Sequence, residues 1–452
     1  MGHFDVVVRK INQKYYLIPM DLYTVRRKMT SEIVVMNKLS VAIAADSAAT
    51  VTGEKIFNAN KIFTLSKYHP VGIMFYGNTQ FMGVPWETII KNFRNDLGNT
   101  GYDSLNEYIS KFFDYISNNG SLFSEDNIFH IFNGTLWGVL NDIKENIRRK
   151  VDDTIRQKGN ISEREITEIT DQVMSYYIDS WKSVLYSEPI NSLDGEYLTK
   201  KYDDEINTAI KGTFENLDIS RYTNDLKSMV VKIYLMGALY KDLYSGLVFV
   251  GFGKNEIFPS YQEFYIYGYI NNTLKYKGAK YDSISFENSA TMSSFAQGDV
   301  IETFMEGISP NLNRLFIHLI PSLFTEYTDK VVGLVNLDGN ELDILKRKLT
   351  EISKIIIEKY FYEIQDFKKH THVDPVMDIV SHLPKEELAE LAESLVHLTS
   401  LKRRVSNDAE SVGGPIDVAV ISKGDGFIWM KRKQYFDIQL NSHFETNYYN
   451  KR

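Results

Sequence analysis

The sequence predicts an α+β protein in which one antiparallel β core carries two helical insertions. Two observations lead there. Short apolar runs bounded by turn residues occur near the start, in the middle and near the end of the chain, and long stretches of helical apolar periodicity separate them. Sheet elements interleaved with helices in this way favour one core with insertions over independent domains in series.

The first strands set the pattern. Ile33 to Met36 and Val41 to Ala45 are apolar runs joined by Asn37-Lys38-Leu39-Ser40, the pattern of a tight antiparallel pair, and the second run ends on Asp46. Lys55 to Leu65 is strand-like, and Tyr68-His69-Pro70 turns the chain into Val71 to Tyr76. Pro85 then opens a helix in which Trp86, Ile89, Ile90 and Phe93 repeat at helical spacing, since proline is tolerated in a first turn. From about 95 to 240 the periodicity is helical throughout, with Ser104-x-x-Glu107 and Ser162-x-x-Glu165 as capping boxes.

Strands return at Leu247 to Phe252, Glu263 to Tyr269 and Thr273 to Lys277, with a hairpin turn at Ile270-Asn271-Asn272. A helix is expected through Ile301, Phe304 and Met305, and a second helical block over about 308 to 380. Leu383-Pro384-Lys385-Glu386-Glu387 starts an amphipathic helix whose Leu388, Leu391, Ala392, Leu395 and Leu398 share a face. Two last strands, Ile416 to Ile421 and Phe427 to Lys431, flank the turn Lys423-Gly424-Asp425-Gly426.

Composition narrows the function. The 452 residues are 43% apolar and 24% charged, ordinary for a soluble globular chain, and the net charge of -8 argues against a general nucleic-acid surface. The absence of cysteine excludes disulfides, thiolate metal sites and Cys nucleophiles, and fits a reducing cytosol. No stretch reaches the ~18 uninterrupted apolar residues of a membrane span, and residues 1–28 are too polar for a secretory apolar region, so a cytoplasmic protein is expected. Residues 1–28 stand apart: Val6-Val7-Val8 and Tyr15-Tyr16-Leu17-Ile18 form a hairpin pattern that closes on the basic run Arg26-Arg27-Lys28. Three readings stay open for them: an extra strand pair at the edge of the fold, a start assigned upstream of Met29, or a removable propeptide.

Thr30, the run Val41-Ala42-Ile43-Ala44-Ala45-Asp46-Ser47, Asn60-Lys61-Ile62-Phe63, Gly77 and the terminal Asp408, Ser411, Gly413-Gly414 together resemble proteasome β-subunits and their bacterial relatives. Asp46 lies sixteen residues after Thr30 as in that family, and Lys61 follows fifteen later, one residue short. Met29 stands where family precursors carry glycine, and Val412 is an extra residue in the last turn. The resemblance covers roughly residues 30–94, 246–298 and 383–435. It implies a four-layer αββα sandwich of two antiparallel sheets, the N-terminal-nucleophile hydrolase fold, over residues 29–452, enlarged by the insertions at about 95–240 and 308–380. It also implies a catalytic Thr30, a Gly77 that supplies the oxyanion N–H and opens a helix, and Asp408 and Ser411 as supports. No cofactor or metal is implied.

The residues themselves make chemical sense of that set. A Thr hydroxyl needs a base, and a free α-amine with an ordinary pKa of about 7.7 to 8.0 is poised to be one. Lys61 would favour the alkoxide and Asp46 would neutralise and orient the lysine. An amide nitrogen cannot serve as base, so a chain retaining residues 1–28 is expected to be inactive; initiation at Met29 followed by methionine removal would expose Thr30.

The reading is therefore a threonine peptidase or amidohydrolase cleaving peptide or other amide bonds through an acyl-enzyme ester. A non-catalytic assembly scaffold and a small-molecule amidase on the same fold are the alternatives. In the plainer reading Asp46 and Lys61 form a structural ion pair and the glycines only turn the chain. Relatives form rings, which implies a homo-oligomer, while no motif identifies an unfoldase partner. His370-Thr371-His372 with Asp374 has the residue types of a metal cluster, but two histidines in a polar loop are read as solvated. Gly251-Phe252-Gly253 lacks the third glycine of a dinucleotide loop and reads as a bend or close sheet contact.

Overall fold

The computed structural model describes residues 6–11, 14–19, 31–51, 55–184, 192–236, 244–270, 273–405, 413–434, 436–437, 439–441 and 443. Met29, Thr30, Asn271, Asn272, Asp408, Ser411 and Val412 lie outside the described residues.

The strands of the first part are β1 Val6–Ile11, β2 Lys14–Pro19, β3 Ser31–Asn37, β4 Ser40–Asp46, β5 Ala48–Val51, β6 Lys55–Asn58, β7 Ile62–Thr64, β8 Val71–Gly77, β9 Gln80–Phe81 and β10 Val84–Pro85. Among the described residues these α-helices follow: α1 Trp86–Leu97, α2 Leu105–Asn118, α3 Glu125–Lys158, α4 Glu163–Lys182, α5 Ser192–Lys201, α6 Asp203–Thr213 and α7 Thr223–Leu235. The middle strands are β11 Ser245–Gly251, β12 Ser260–Ile270, β13 Thr273–Ser283 and β14 Ala290–Ala296. The chain closes with α8 Asp299–Glu306, α9 Pro310–Leu334, α10 Gly339–Lys368, α11 Asp374–His382, α12 Lys385–Arg404, β15 Ile416–Ser422 and β16 Gly426–Lys431.

Among the described residues two five-stranded antiparallel sheets hold the core, in the orders β14-β3-β4-β15-β16 and β13-β12-β11-β8-β7. Each draws strands from distant parts of the chain, which is why the apolar runs recur at both ends and in the middle. Side chains alternate across each strand, so Val34, Met36 and Ile43 of one sheet meet Met74, Val248 and Val250 of the other. The opposite residues of the first sheet, among them Ile33, Val35 and Ala42, pack on Leu388, Ala392 and Leu395 of α12. The outward residues of the second sheet, Phe75 and Phe249, pack on Trp86 and Ile90 of α1 and Phe112 of α2. Helix α2 thus covers the sheet although it lies in the stretch expected as the first insertion. Helices α3 to α7 gather a separate apolar cluster that touches the sheets through Tyr267 and Ile270 of β12.

Local chemistry sets these elements. Asn37 ends β3 and its Oδ1 accepts from the amides of Leu39 and Ser40 at 3.0 and 3.2 Å, closing the β3–β4 turn. Ser104 caps α2, and the full capping box is present at Ser162 and Glu165. Gly251, at φ +136°, lies so close to the preceding turn that a Cβ there would sit 2.1 Å from the Pro70 carbonyl, and one at Gly253 would sit 2.2 Å from Ser104 Cα. The expected close contact is therefore what these glycines provide.

Three sequence expectations need correction. Lys55 to Leu65 is two strands: β6 pairs with β5 in a separate ribbon, and the chain then crosses to the second sheet, so Lys61 sits in the extended link before β7. Leu398 is 40% exposed, off the buried face of α12. His370 and His372 lie in a π-helical turn between α10 and α11 instead of a loop, and His370 Nδ1 is 3.0 Å from Asp374 Oδ2. Among the described residues no helix is long and apolar enough to cross a membrane.

Candidate active site

Five strand ends meet at one edge of the two sheets. Register places Ser31 at the start of β3, Asp46 at the end of β4 and Ile416 at the start of β15 side by side, while Gly77 at the end of β8 pairs with Ser245 at the start of β11. Lys61 joins the two edges, since its carbonyl accepts from Phe75 N at 3.0 Å and its ammonium reaches Asp46.

Asp46 is the centre of this corner. Its side chain is inaccessible to solvent, and its two oxygens divide four donors. Oδ1 accepts from Ser31 N at 2.9 Å and Lys61 Nζ at 3.0 Å; Oδ2 accepts from Ala48 N at 3.2 Å and Gly413 N at 3.1 Å. A buried carboxylate is costly unless paired and hydrogen-bonded, and here it is both. The segment after Gly413 is tied to the same corner: Ala48 N donates to the Gly413 carbonyl at 3.1 Å and Ser47 Oγ to the Pro415 carbonyl at 2.5 Å. Gly414 takes φ +78°, where a Cβ would also meet Asn58 Oδ1 at 2.7 Å.

Gly77 ends β8 exposed, at φ +83°. It does not open a helix, because the β9–β10 hairpin intervenes before α1 begins at Trp86. Beside it Ser245 Oγ donates to the Asn78 carbonyl at 3.1 Å. A cavity of about 300 Å³ begins there, walled by Asn78, Phe81, Ile131, Tyr234, Ser245 and Tyr267, so the helical block contributes to it through α3 and α7. Behind Gly77, the buried Tyr76 hydroxyl donates to Glu263, and burial together with that carboxylate holds the phenol well above its usual range. Gly246 makes room for this ring: a Cβ would fall 2.0 Å from Tyr76 Cζ.

Of the residues singled out in the sequence, the structure brings Asp46 and Lys61 into direct contact and sets Gly413 on the same carboxylate. Gly77 shares the edge without touching that group. Thr30, Asp408 and Ser411 fall outside the described residues; Ser31, next to Thr30, and Gly413, two residues after Ser411, are both held by Asp46. Sequence reasoning missed the backbone amides of Ser31 and Ala48 as partners of Asp46. The small residues after Asp46 were the available signal, since only a tight corner turns an amide back onto the preceding carboxylate.

No family model matches the chain, and no curated protein matches it. Among solved structures the chain is similar to the helical assembly of the Anbu complex from Pseudomonas aeruginosa, at 10% identity and a TM-score of 0.30 over 92% of each chain. It is also similar to Anbu, the ancestral β-subunit, from Yersinia bercovieri, at 8% identity and a TM-score of 0.25 over 93% of this chain and 94% of that one. A third is Anbu from Hyphomicrobium sp. strain MC1, at 10% identity and a TM-score of 0.25 over 93% and 95%.

Proposed function

We propose that the chain is a threonine-type N-terminal-nucleophile hydrolase that cleaves peptide or other amide bonds, built as a four-layer αββα sandwich over residues 29–452 with helical insertions at about 95–240 and 308–380. The observation that carries this is the Asp46 corner. One buried carboxylate holds the lysine, the amide that follows Thr30 and the amide of Gly413, two residues after Ser411. This carboxylate thereby fixes the chain on either side of the sheet corner, next to the proposed nucleophile and close to its supports.

In this mechanism the Thr30 α-amine takes the hydroxyl proton as Oγ1 attacks the carbonyl carbon of the substrate amide. The Lys61 ammonium favours the alkoxide, and Asp46 fixes the ammonium in place. The Gly77 N–H receives the oxyanion, where removal of one such donor commonly costs about 100-fold in rate. The ammonium of Thr30 then protonates the leaving amine as the C–N bond breaks, leaving an ester on Oγ1. Water, deprotonated by the same amine, attacks the ester and restores the hydroxyl. Asp408 and Ser411 hold the amine. The active form begins at Thr30 and works in the cytoplasm as a homo-oligomer.

The test joins mass spectrometry to activity. Protein from the natural gene is weighed intact and assayed on a peptide library and on small amides. The expected result is turnover by chains beginning at Thr30 and loss of at least about 1,000-fold in Thr30→Ala with the fold retained. Activity in chains beginning at Met1 or Met29 would overturn the amine mechanism. Turnover of small amides alone points to the amidase, and silence on every substrate to a scaffold.

A further inference from the structure

Helices α9 and α10 form an antiparallel hairpin of 25 and 30 residues joined by a short turn and tied by the ion pair between Lys346 and Asp329 at 2.8 Å. The half-buried Phe316, Ile320 and Phe324, continued by the buried Thr328, are the α9 row that this two-helix contact needs. A second apolar row lies one residue back, about 100° around the helix axis: Leu312, Leu315, Leu319, Leu323 and Tyr327, between 40% and 61% exposed. On α10 a matching exposed row is formed by Ile344, Ile352, Ile355 and Tyr362. Thirteen large apolar side chains of the two helices are exposed. One helical neighbour satisfies one apolar row; two rows call for a bundle of more than two helices.

We propose that this hairpin is a self-association surface, and that a second copy of the chain lays its own hairpin against it to complete an intermolecular four-helix bundle. Three properties single out a copy of the chain as the occupant. An identical hairpin supplies two helices with the same exposed rows, so the contact closes on itself about a two-fold axis. Residues 310–368 carry eight Lys or Arg against nine Asp or Glu, so each copy brings a net charge of only -1 to the contact although the whole chain has a charge of -8. Residues 310–325 hold Arg314 as their sole charge, leaving the first half of α9 without charged rows to desolvate. The area also suffices. A large apolar side chain offers roughly 60–120 Å², so the nine of the two rows at about half exposure give on the order of 400 Å² per copy. A standard interface takes about 800 Å² from each partner, little more than half of it apolar.

The experiment uses the full chain, which has no cysteine of its own. Sedimentation at micromolar concentration is expected to show a dimer or a multiple of one. In the double variant Leu315→Glu, Leu323→Glu the dissociation constant of that contact is expected to rise about 100-fold or more. Both side chains are about half exposed, so helix content by circular dichroism is expected to stay unchanged. Single variants Leu319→Cys, Leu323→Cys and Tyr327→Cys scan α9, and a short bismaleimide is expected to join two chains through at least one of them, while Lys200→Cys on α5 sets the background. A monomeric wild-type chain, an assembly indifferent to the glutamates with no cross-link above background, or binding of the monomer to phospholipid vesicles in place of self-association would each overturn the proposal. None of these readings depends on Thr30 chemistry.

Discussion

Lys61 and Lys275 are both buried in the sheet region, yet they keep opposite company. Lys61 faces a carboxylate that also gathers three backbone amides. Lys275, in β13 where the second sheet meets the helical block, donates to the Tyr234 carbonyl at 2.7 Å and lies 3.8 Å from the centre of that ring. Burial pushes the Lys275 ammonium down to about 7, against a smaller upward pull from Asp194. One lysine belongs to a polar network whose members need one another; the other is an amine accommodated in an apolar seam. Buried charge therefore takes two forms in this fold, one satisfied by a polar network at converging strand ends and one held in an apolar seam.

The largest effect expected from this contrast comes from Asp46. Asp46→Ala leaves Lys61 buried without its carboxylate and strips partners from the amides of Ser31, Ala48 and Gly413. The cost is expected to be about 3–5 kcal/mol of stability, read by chemical denaturation. Lys61→Met, which leaves the carboxylate its three amide donors, is expected to cost less, about 2–3 kcal/mol, and to abolish turnover at a stability where the fold persists. Equal costs for the two variants would remove the distinction between a network and a simple pair.

The same contrast explains what the sequence could reveal. Asp46 and Lys61 were legible because an apolar strand that ends on a carboxylate, followed by a lysine before the next strand, is a local pattern. The β3–β4 hairpin, helix α1 and the capping of α2 and α4 were legible for the same reason, each resting on side chains within a few residues. Lys275 gave no signal: it sits in an alternating strand like any outward lysine, and only packing against Tyr234 and Tyr267 buries it. The split of residues 55–65 into two strands was hidden because both halves have the same β-forming composition, and sheet membership is decided by distant partners. The hairpin between Gly77 and α1 was missed because its strands are two residues each.

The smallest effect, and the one that isolates Lys275, is a pH slope. A lysine whose folded pKa lies near 7 and whose ordinary value is 10.5 binds its proton in the unfolded chain before it does so in the folded one. Stability contributed by this group therefore rises as pH rises from 7 toward 10.5, and its penalty is fully present below pH 7. Several tyrosines, Tyr234 and Tyr267 among them, are raised by burial and act in the opposite sense as the pH approaches 10, so the comparison belongs between pH 7 and 9. Over that interval the wild-type chain is expected to gain on the order of 2 kcal/mol from this group. In Lys275→Met the gain disappears, because the thioether fills the same volume and carries no proton. Equal slopes in wild type and variant would mean that Lys275 stays protonated throughout, and that the seam, like the Asp46 corner, solvates a charge.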